Sequence, residues 1–279
     1  MDKLKTYLKH PLSFVLLILI GLASIITVAS IIFIIIYILV NGIPNLTTDL
    51  FSLHYNSKNQ SMLPSIFNTV FITFLTLLIA VPIGIFSAVY LVEYAKKGSK
   101  LVKVIRVTTE TLAGIPSIVF GLFGFLAFVI ALGWGYSMIA GVLTLVMMVL
   151  PTIIRTTEEA LLAVPNSYRE GSFGLGAGKI RTIFKIIVPT AIPGILSGVI
   201  LAIGRIVGET AALIYTSGTV AETATRLTDS ARTLSVHLYC LLSEGLFTNQ
   251  AYATAVILLL LVVGINALSN FIAKKLAKK

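Results

Sequence analysis

The sequence predicts an all-α integral membrane protein with six transmembrane helices. Of its 279 residues, 57% are hydrophobic and only 11% are charged, which lies far outside the range of soluble domains. Apolar runs close to the roughly 20 residues that cross the hydrocarbon core recur along the chain. The six runs cover residues 14–40, 66–92, 117–132, 136–154, 192–215 and 251–272.

The first and third runs need separate justification. Lysines precede the first run, as in a secretory signal peptide, but the run is longer than the about 7–15 apolar residues of a signal core. We therefore predict a retained first span. The third run is short and is interrupted by Gly121 and Gly124, so its ends are the least defined.

Lysine and arginine residues lie mainly on one side of the predicted spans. They precede the first span, separate the second from the third and the fourth from the fifth, and close the chain, whereas only Lys58, Arg226 and Arg232 fall on the other side. The positive-inside rule therefore predicts that both termini are cytoplasmic. Arg205 is the one basic residue left inside a predicted span.

Composition also argues against several other classes of protein. The net charge of +10 is spread over short clusters between apolar runs, which is not the basic face of a nucleic-acid-binding protein. Cys240 is the single cysteine, so no disulfide within the chain is expected. The three histidines, His10, His54 and His237, are scattered, and their spacing predicts no metal site.

The segment 156–191 is predicted to be a structured cytoplasmic loop, because a loop of this length seldom serves only as a connection. Glycines predict a turn, and Ile180, Ile183, Phe184 and Ile187 then recur at helical spacing. Such a helix either lies on anionic lipid or binds a protein partner. The stretch GLGAGKI lacks the P-loop spacing, since Phe173 stands where a glycine is needed, so we expect no ATPase site in this chain.

This segment resembles the permeases of ABC importers, whose cytoplasmic motif is Glu-Ala-Ala, three residues, Gly, nine residues and Ile-x-Leu-Pro. Glycine, serine and valine replace the two alanines and the leucine here. In that family the motif forms a short helix pair that docks into the ATP-hydrolysing subunit, which binds ATP and Mg²⁺. The resemblance therefore implies no cofactor in this chain and a docking role for Glu170, Gly171, Ser172, Gly176, Ile186 and Pro189.

From about residue 62 to its end, the chain is similar to the A-type permeases of bacterial phosphate importers. The similarity lies in AGIPSIVFGLFG, GRIVGETAAL and the stretch from Arg232 to Gly245, in which TLSVHLY favours the A-type over the C-type. It implies a type I importer permease domain over 62–275, preceded over 1–61 by a cytoplasmic tail, the first span and an external loop. The implied activity is ATP-driven phosphate import.

The same resemblance implies partners and a location. It implies a heterodimer with a related C-type permease, two ATPase subunits, an extracytoplasmic phosphate-binding protein and a bacterial plasma membrane. Three alternatives stay open at this point. The chain could be the C-type partner, a permease for another oxyanion, or a stand-alone secondary anion carrier. A carrier usually has carboxylates or histidines in several spans, whereas Glu209 is the only acid deep in a span here.

The stretch GRIVGETAALI places Arg205 and Glu209 four residues apart in the predicted fifth helix. An arginine at membrane depth costs about 2.5–3.5 kcal/mol on insertion scales, so it must face a partner, protein or water. Either the two residues form a structural pair, or Arg205 lines an anion route and Glu209 orients it and limits its affinity. Arg155, which matches an arginine of the family, is a second candidate for the route or a residue that snorkels to headgroups.

Small residues recur every four positions along the same predicted helix. They offer a surface that another helix can approach closely. The pattern predicts either an interface with the second permease or packing within this subunit. The glycines concerned are Gly194, Gly198, Gly204 and Gly208.

Overall fold

A computed structural model of the chain describes residues 11–96 and 98–277, so Lys3, Lys5, Lys9 and His10 lie outside the described residues. All regular structure within those two ranges is helical, which confirms the predicted class. The α-helices are α1 (Pro11–Gly42), α2 (Leu63–Val89), α3 (Lys100–Ala113), α4 (Ser117–Gly124), α5 (Met138–Leu162), α6 (Asn166–Gly174), α7 (Lys179–Thr182), α8 (Val188–Val207), α9 (Ala211–Thr216), α10 (Leu234–Glu244) and α11 (Thr248–Ala277).

Three π-helical segments extend these helices. They cover Tyr90–Tyr94 after α2, Phe125–Ala131 after α4, and Ile183–Ile187 between α7 and α8. As a result, α7 and α8 form one continuous rod over Lys179–Val207. Two short 3₁₀ turns, Ile43–Asn45 and Thr48–Phe51, follow α1.

The described residues contain five helical runs that are long and apolar enough to cross a membrane. A sixth crossing is possible where α3 and the helix from Ser117 to Ala131 meet at a bend of 103°. The sequence predicted the second half of this pair but not α3, whose basic residues were assigned to a loop. Pro116 explains the bend, because its extended backbone and missing N–H prevent α3 from continuing into α4. The predicted orientation of the termini stays a prediction.

The core forms where α2, α5 and α8 pack together. Its largest fully buried side chains include Ile72, Leu145, Met148 and Ile153, and α9 adds Leu213. By contrast, α1 lies at the edge of the described bundle with its apolar side chains exposed. It contacts α11 near its end, where the Tyr37 and Tyr252 hydroxyls are 3.2 Å apart. The proposed division at residue 62 stays a prediction.

The fifth span is broken, so the prediction of one helix over 192–215 is wrong. Helix α8 ends at Val207, residues 208–210 are not helical, and α9 begins at Ala211. Other groups bind the backbone that the break frees. The Glu209 carboxylate accepts a hydrogen bond from the Ala212 N–H (3.0 Å), and the Ser235 hydroxyl donates to the Glu209 carbonyl (2.6 Å). These bonds supply partners that a membrane interior does not offer.

The loop between α9 and α10 is tied to α2, and this places Ser235 beside the break. The Asn68 side-chain amide donates to the carbonyls of Glu222 (2.9 Å) and Arg232 (3.1 Å). The Leu234 N–H donates to the Thr69 hydroxyl at 2.8 Å, which fixes the first turn of α10. The first residues of the TLSVHLY stretch, Thr233 to Ser235, therefore position the broken span.

His237 lies buried in α10, which is not among the candidate spans. Burial, and then the nearby charge of Arg232, lower the pKa of this imidazole to about 4. The ring is consequently neutral at physiological pH. Its Nε2 has no partner among the described residues.

Candidate functional site: a cavity around Arg205

A cavity of about 410 Å³ lies where α5, α8 and α11 meet. Helix α5 contributes Thr152 from near its middle, α8 contributes its last turns, and α11 contributes Asn266. We call this space the Arg205 cavity, and its lining consists of Thr152, Ile200, Leu201, Gly204, Arg205 and Asn266.

The polar groups of the Arg205 cavity are not used by the fold. Arg205 stands in the last turn of α8, where the negative end of the helix dipole favours a cation. Its guanidinium makes no hydrogen bond or ion pair with any described residue. The Asn266 Oδ1 is buried and also has no protein partner among those residues. The unpaired guanidinium of Arg205 offers charged donors, so the cavity suits an anionic ligand.

Arg205 and Glu209 are not paired in the structure. The break after Val207 removes the helical turn that would bring the two side chains together. Glu209 is 8% exposed and uses its carboxylate to cap the first turn of α9 instead. Its observed contacts are therefore those of a helix cap, and they leave Arg205 without a carboxylate partner in the described part of the chain.

A groove of about 530 Å³ continues from the Arg205 cavity between α5 and α8. The two spaces share Ile200 and Leu201 in their linings. The groove adds the hydroxyl side chains Thr156 and Ser197 and reaches Glu159. A mainly apolar route with a few polar side chains thus leads from Arg205 along α5 toward the segment that the sequence predicts to be cytoplasmic.

Arg155 lies at the far end of this route in an exposed ion pair. Its Nε donates to the Glu159 Oε1 at 3.0 Å, one turn along α5. Nearby, Arg106 of α3 pairs with Glu158 at 2.5 Å, and both pairs line a cavity of about 230 Å³. The structure therefore places Arg155 near the route but not beside Arg205. Its role in the route stays a prediction.

The four glycines of α8 fall into two groups. A Cβ at Gly194 would lie 2.6 Å from the Ala160 Cβ, and one at Gly198 would overlap the Thr156 side chain, so these two pack α8 against α5 of the same subunit. Gly204 has open space around its Cα, and a Cβ at Gly208 would meet only the Gly204 carbonyl at 3.5 Å. An interface with a second permease stays a prediction, and Gly204 and Gly208 are the positions left free for it.

The predicted docking segment forms a helical hairpin of α6, a turn and α7. Gly176 takes a φ of +80° in the turn, which disfavours residues with a side chain. The Ser172 and Thr182 hydroxyls hydrogen-bond across the hairpin at 2.8 Å. Glu170 and Gly171 are exposed on α6, while Ile186 and Pro189 lie in the rod that enters the membrane. Docking of an ATPase stays a prediction.

Arg169, which the sequence analysis did not single out, anchors α6 to the bundle. Its guanidinium donates to the Glu93 Oε1 at 2.7 Å and to the carbonyls of Leu161 (3.1 Å) and Val164 (2.9 Å). The Arg169 and Glu93 side chains are only 17% and 10% exposed. One residue thus ties the docking segment to the ends of α2 and α5.

The sequence analysis also missed Thr152 and Asn266 in the Arg205 cavity. A signal for Asn266 was present, because it is an amide within the apolar run LLLLVVGINAL. A polar residue at membrane depth that faces the protein interior is a candidate functional residue. For Thr152 the sequence offered no comparable signal, since threonine is common in spans and often bonds to its own helix.

Comparisons with known proteins agree with this architecture. Residues 80–279 match the family described as binding-protein-dependent transport system inner membrane component. A probable ABC transporter permease protein of Bacillus subtilis, YqgI, is 32% identical over 277 residues, which cover 93% of this chain and 94% of that protein. The phosphate transport system permease protein PstA of Yersinia pestis is 38% identical over 71% of this chain and 67% of its own length.

The solved structures also share the fold. A chain of a bacterial alginate ABC transporter, solved in complex with an alginate-bound periplasmic protein, aligns with a TM-score of 0.71 over 98% of both chains at 15% identity. This match confirms the permease fold that the sequence resemblance implied. The chain belongs to the family of inner membrane components of binding-protein-dependent transport systems.

Proposed function

We propose that this chain is a permease subunit of an ATP-driven importer that moves inorganic phosphate across the bacterial plasma membrane. The observation that carries the proposal is the unpaired guanidinium of Arg205 in a cavity beside a broken span. The similarity to the Yersinia pestis phosphate permease supports phosphate as the anion.

The geometry suits a temporary anion site. A guanidinium offers a planar fork of donors that can bind two oxygens of one phosphate group. Because Glu209 is used as a cap, no described carboxylate competes with the anion for Arg205. Thr156 and Ser197 line the groove toward Arg155. The Thr156 hydroxyl already donates to the Thr152 carbonyl at 2.9 Å, so Ser197 is the hydroxyl that can donate to an anion leaving Arg205.

The energy for transport would come from partner subunits. We infer two ATPase subunits that bind ATP and Mg²⁺, a related C-type permease and an extracytoplasmic phosphate-binding protein. The exposed side chains of α6 and its turn, among them Tyr168, Phe173 and Leu175, suit a docking contact with an ATPase. Arg169 would transmit movement of α6 to α2 and α5, because it binds the ends of both helices.

The test is ATP-driven phosphate uptake into liposomes that contain the whole complex. Arg205→Gln should reduce uptake about 100-fold, because losing charge-assisted hydrogen bonds costs about 1.5–3 kcal/mol and glutamine cannot neutralise the anion. Copurification of the ATPase subunits should not change. Arg226→Gln, which alters an exposed arginine in the loop between α9 and α10, is the matched control and should keep wild-type uptake.

Three outcomes would contradict all or part of the proposal. Uptake at the wild-type rate by the Arg205→Gln complex would remove Arg205 from the route. Phosphate uptake by this chain without ATP or ATPase subunits would instead indicate a secondary anion carrier. Uptake of a different oxyanion in place of phosphate would retain the importer and change its substrate.

A further inference from the structure

An apolar groove of about 390 Å³ lies inside the 103° bend between α3 and the helix from Ser117 to Ala131. Val119 and Phe123 in its wall are each about half exposed, so the groove is open at the surface of the described bundle. Thr109 is the one lining residue with a polar side chain, and its hydroxyl already donates to the Arg106 carbonyl at 2.8 Å. The groove therefore suits an apolar ligand. Its walls include Leu112, Val119, Phe123, Met147, Leu150 and Ile154.

The start of α3 and the turn before it are strongly basic. Residues 95–106 contain five basic residues and no acidic one. Lys100 and Lys103 are exposed, and neither forms an ion pair with a described residue. Arg106 pairs with Glu158, but its side chain stays 47% exposed. Glu110 is the only acidic residue of α3, so this helix keeps a net positive charge.

The basic end of α3 leads directly to the groove. Residues three apart are neighbours on a helix surface, so positions 103, 106, 109 and 112 form one continuous row. The row starts near the end of α5, where Arg106 pairs with Glu158, and reaches the groove beside the middle of α5. Cations thus lie at one end of the row and apolar surface at the other. A phospholipid presents its groups in the same order, because its headgroup lies at the membrane surface and its chains point inward.

Another face of α3 also favours lipid over a protein partner. Leu101, Val104 and Val107 are each more than half exposed, and their spacing places them side by side. Lysine is depleted at protein–protein interfaces. By contrast, lysines beside exposed apolar side chains are typical of helices that bind anionic membranes. The surroundings of the groove therefore match a lipid in both charge and polarity.

We propose that the groove holds an acyl chain of an anionic phospholipid whose headgroup phosphate is bound by Lys100 and Lys103. The groove removes the chain from contact with other lipids, and the two ammonium groups select the negative headgroup. Pro151 lines the groove, whereas its neighbour Thr152 lines the Arg205 cavity, so the two sites lie on different faces of α5. The lipid site does not depend on which anion the permease carries.

The test is photocrosslinking of the purified permease–ATPase complex in nanodiscs. Phosphatidylglycerol or phosphatidylcholine, each with a diazirine in one acyl chain, is present at the same low mole fraction. Crosslinks should be enriched in the segments 109–123 and 147–154, which line the groove. Because each lysine near an anionic lipid adds about fivefold in affinity, phosphatidylglycerol should label these segments about 30-fold more than phosphatidylcholine.

The double variant Lys100→Gln with Lys103→Gln tests the headgroup contact. It should bring the labelling by the two lipids close to equality. The matched control is Lys58→Gln with Arg226→Gln, which removes two exposed charges that do not adjoin the groove and should keep the wild-type ratio. A wild-type ratio in the Lys100 and Lys103 variant would overturn the proposal.

The variant Val119→Trp tests the groove without changing any charge. Its ring should fill the space and remove most labelling of 147–154 by either lipid. Ile118→Trp is the matched control, because Ile118 is an exposed neighbour that does not line the groove, and it should label as the wild type does. Equal labelling of the two tryptophan variants would overturn the proposal.

Three results with the wild type would also overturn the proposal. They are labelling spread evenly over exposed helices such as α1, equal labelling by the two lipids, and a groove without label. The last would indicate that a partner permease covers this face. None of these measurements involves phosphate, so failure of the lipid site leaves the proposed function intact, and failure of phosphate uptake leaves the lipid site intact.

Discussion

The docking segment and the Arg205 cavity each depend on an arginine, but the two arginines have opposite surroundings. Arg169 donates to one carboxylate and two helix-end carbonyls at 2.7–3.1 Å. Arg205 makes no hydrogen bond or ion pair with a described residue and lines a cavity. Both are costly to remove from water, so each must be retained for a reason.

The difference indicates what each arginine does. A guanidinium whose donors are occupied by helix ends fixes those helices to one another, because breaking it leaves a charge and several carbonyls unpaired. A guanidinium whose donors are free stabilises nothing by itself and can bind a ligand. We therefore propose that Arg169 transmits force and that Arg205 binds the anion, and each prediction below tests that division of roles.

The largest effect on stability should come from Arg169→Ala. Removing one partner of a buried pair leaves Glu93 uncompensated and costs about 3–5 kcal/mol. Thermal unfolding of the purified complex should shift accordingly, while Arg205→Gln should unfold at or above the wild-type temperature. The double variant Arg169→Met with Glu93→Leu should recover much of the lost stability but not the coupling of ATP hydrolysis to uptake. If Arg169→Ala and Arg205→Gln destabilise the complex equally, this division of roles between the two arginines is wrong.

His237 sharpens the comparison, because it is a buried group without a partner for Nε2 but lines none of the cavities described above. Its pKa is about 4 in the fold, lowered from 6.5. The unfolded chain therefore binds the proton first, and stability should fall as pH drops from about 6.5 to about 4, by about 3 kcal/mol in all.

The measurement is thermal unfolding as a function of pH, with His237→Asn compared with the wild type. The variant should lose this part of the pH dependence, whereas His54→Asn, at an exposed position, should keep it. A wild-type pH profile for His237→Asn would show that the imidazole is not held neutral by burial. Lack of a partner thus marks a ligand site only where a cavity adjoins the group.

The glycines of α8 test the same contrast between used and free surfaces. Gly198→Ala should destabilise the subunit by about 1–3 kcal/mol, because the added methyl overlaps Thr156 in a closely packed contact. Gly204→Ala meets no atom of this subunit, so its thermal unfolding should change little or improve through helix propensity. If Gly204 instead faces the partner permease, the variant should reduce copurification of that partner. Equal unfolding temperatures for the two alanine variants would contradict the assignment.

The sequence predicted the parts of the fold that depend on local pattern. Apolar length located the membrane runs. The glycines from Gly171 to Gly178 predicted a turn, which forms around Gly176 with a φ of +80°, whereas Gly171 and Gly174 lie in α6. The break after Val207 is capped locally by Gly208 and by the Glu209 carboxylate, but it also uses the Ser235 hydroxyl, 26 residues away from Glu209, which no local pattern could predict. The Arg169–Glu93 pair joins residues 76 positions apart for the same reason.

The candidate site was predicted in part. Arg205 was evident, because a charge inside an apolar run is unusual at any position. A structural pair with Glu209 was one of the two alternatives that helical spacing left open, and the structure shows no such pair because the helix breaks between the two residues. Asn266 and Thr152 join Arg205 only through the packing of α11 and α5 against α8. Sequence can therefore identify the charged residue inside an apolar run, but the residues that share its cavity depend on tertiary structure.

The smallest effect should come from Thr152, the least polar of the cavity's three hydrogen-bonding side chains. Thr152→Val keeps the shape of the side chain and removes its hydroxyl. That hydroxyl donates to no described residue, and only the Thr152 carbonyl is used, by Thr156. Losing one neutral hydrogen bond to the anion costs about 1 kcal/mol. The affinity of the purified permease–ATPase complex in nanodiscs for radiolabelled phosphate should therefore fall about fivefold. Thr144→Val is the control, because that hydroxyl already donates to the Ala140 carbonyl at 2.8 Å and lies outside the cavity. If both valine variants bind phosphate equally well, the free hydroxyl of Thr152 does not contact the anion, and Arg205 remains as the anion's contact in the cavity.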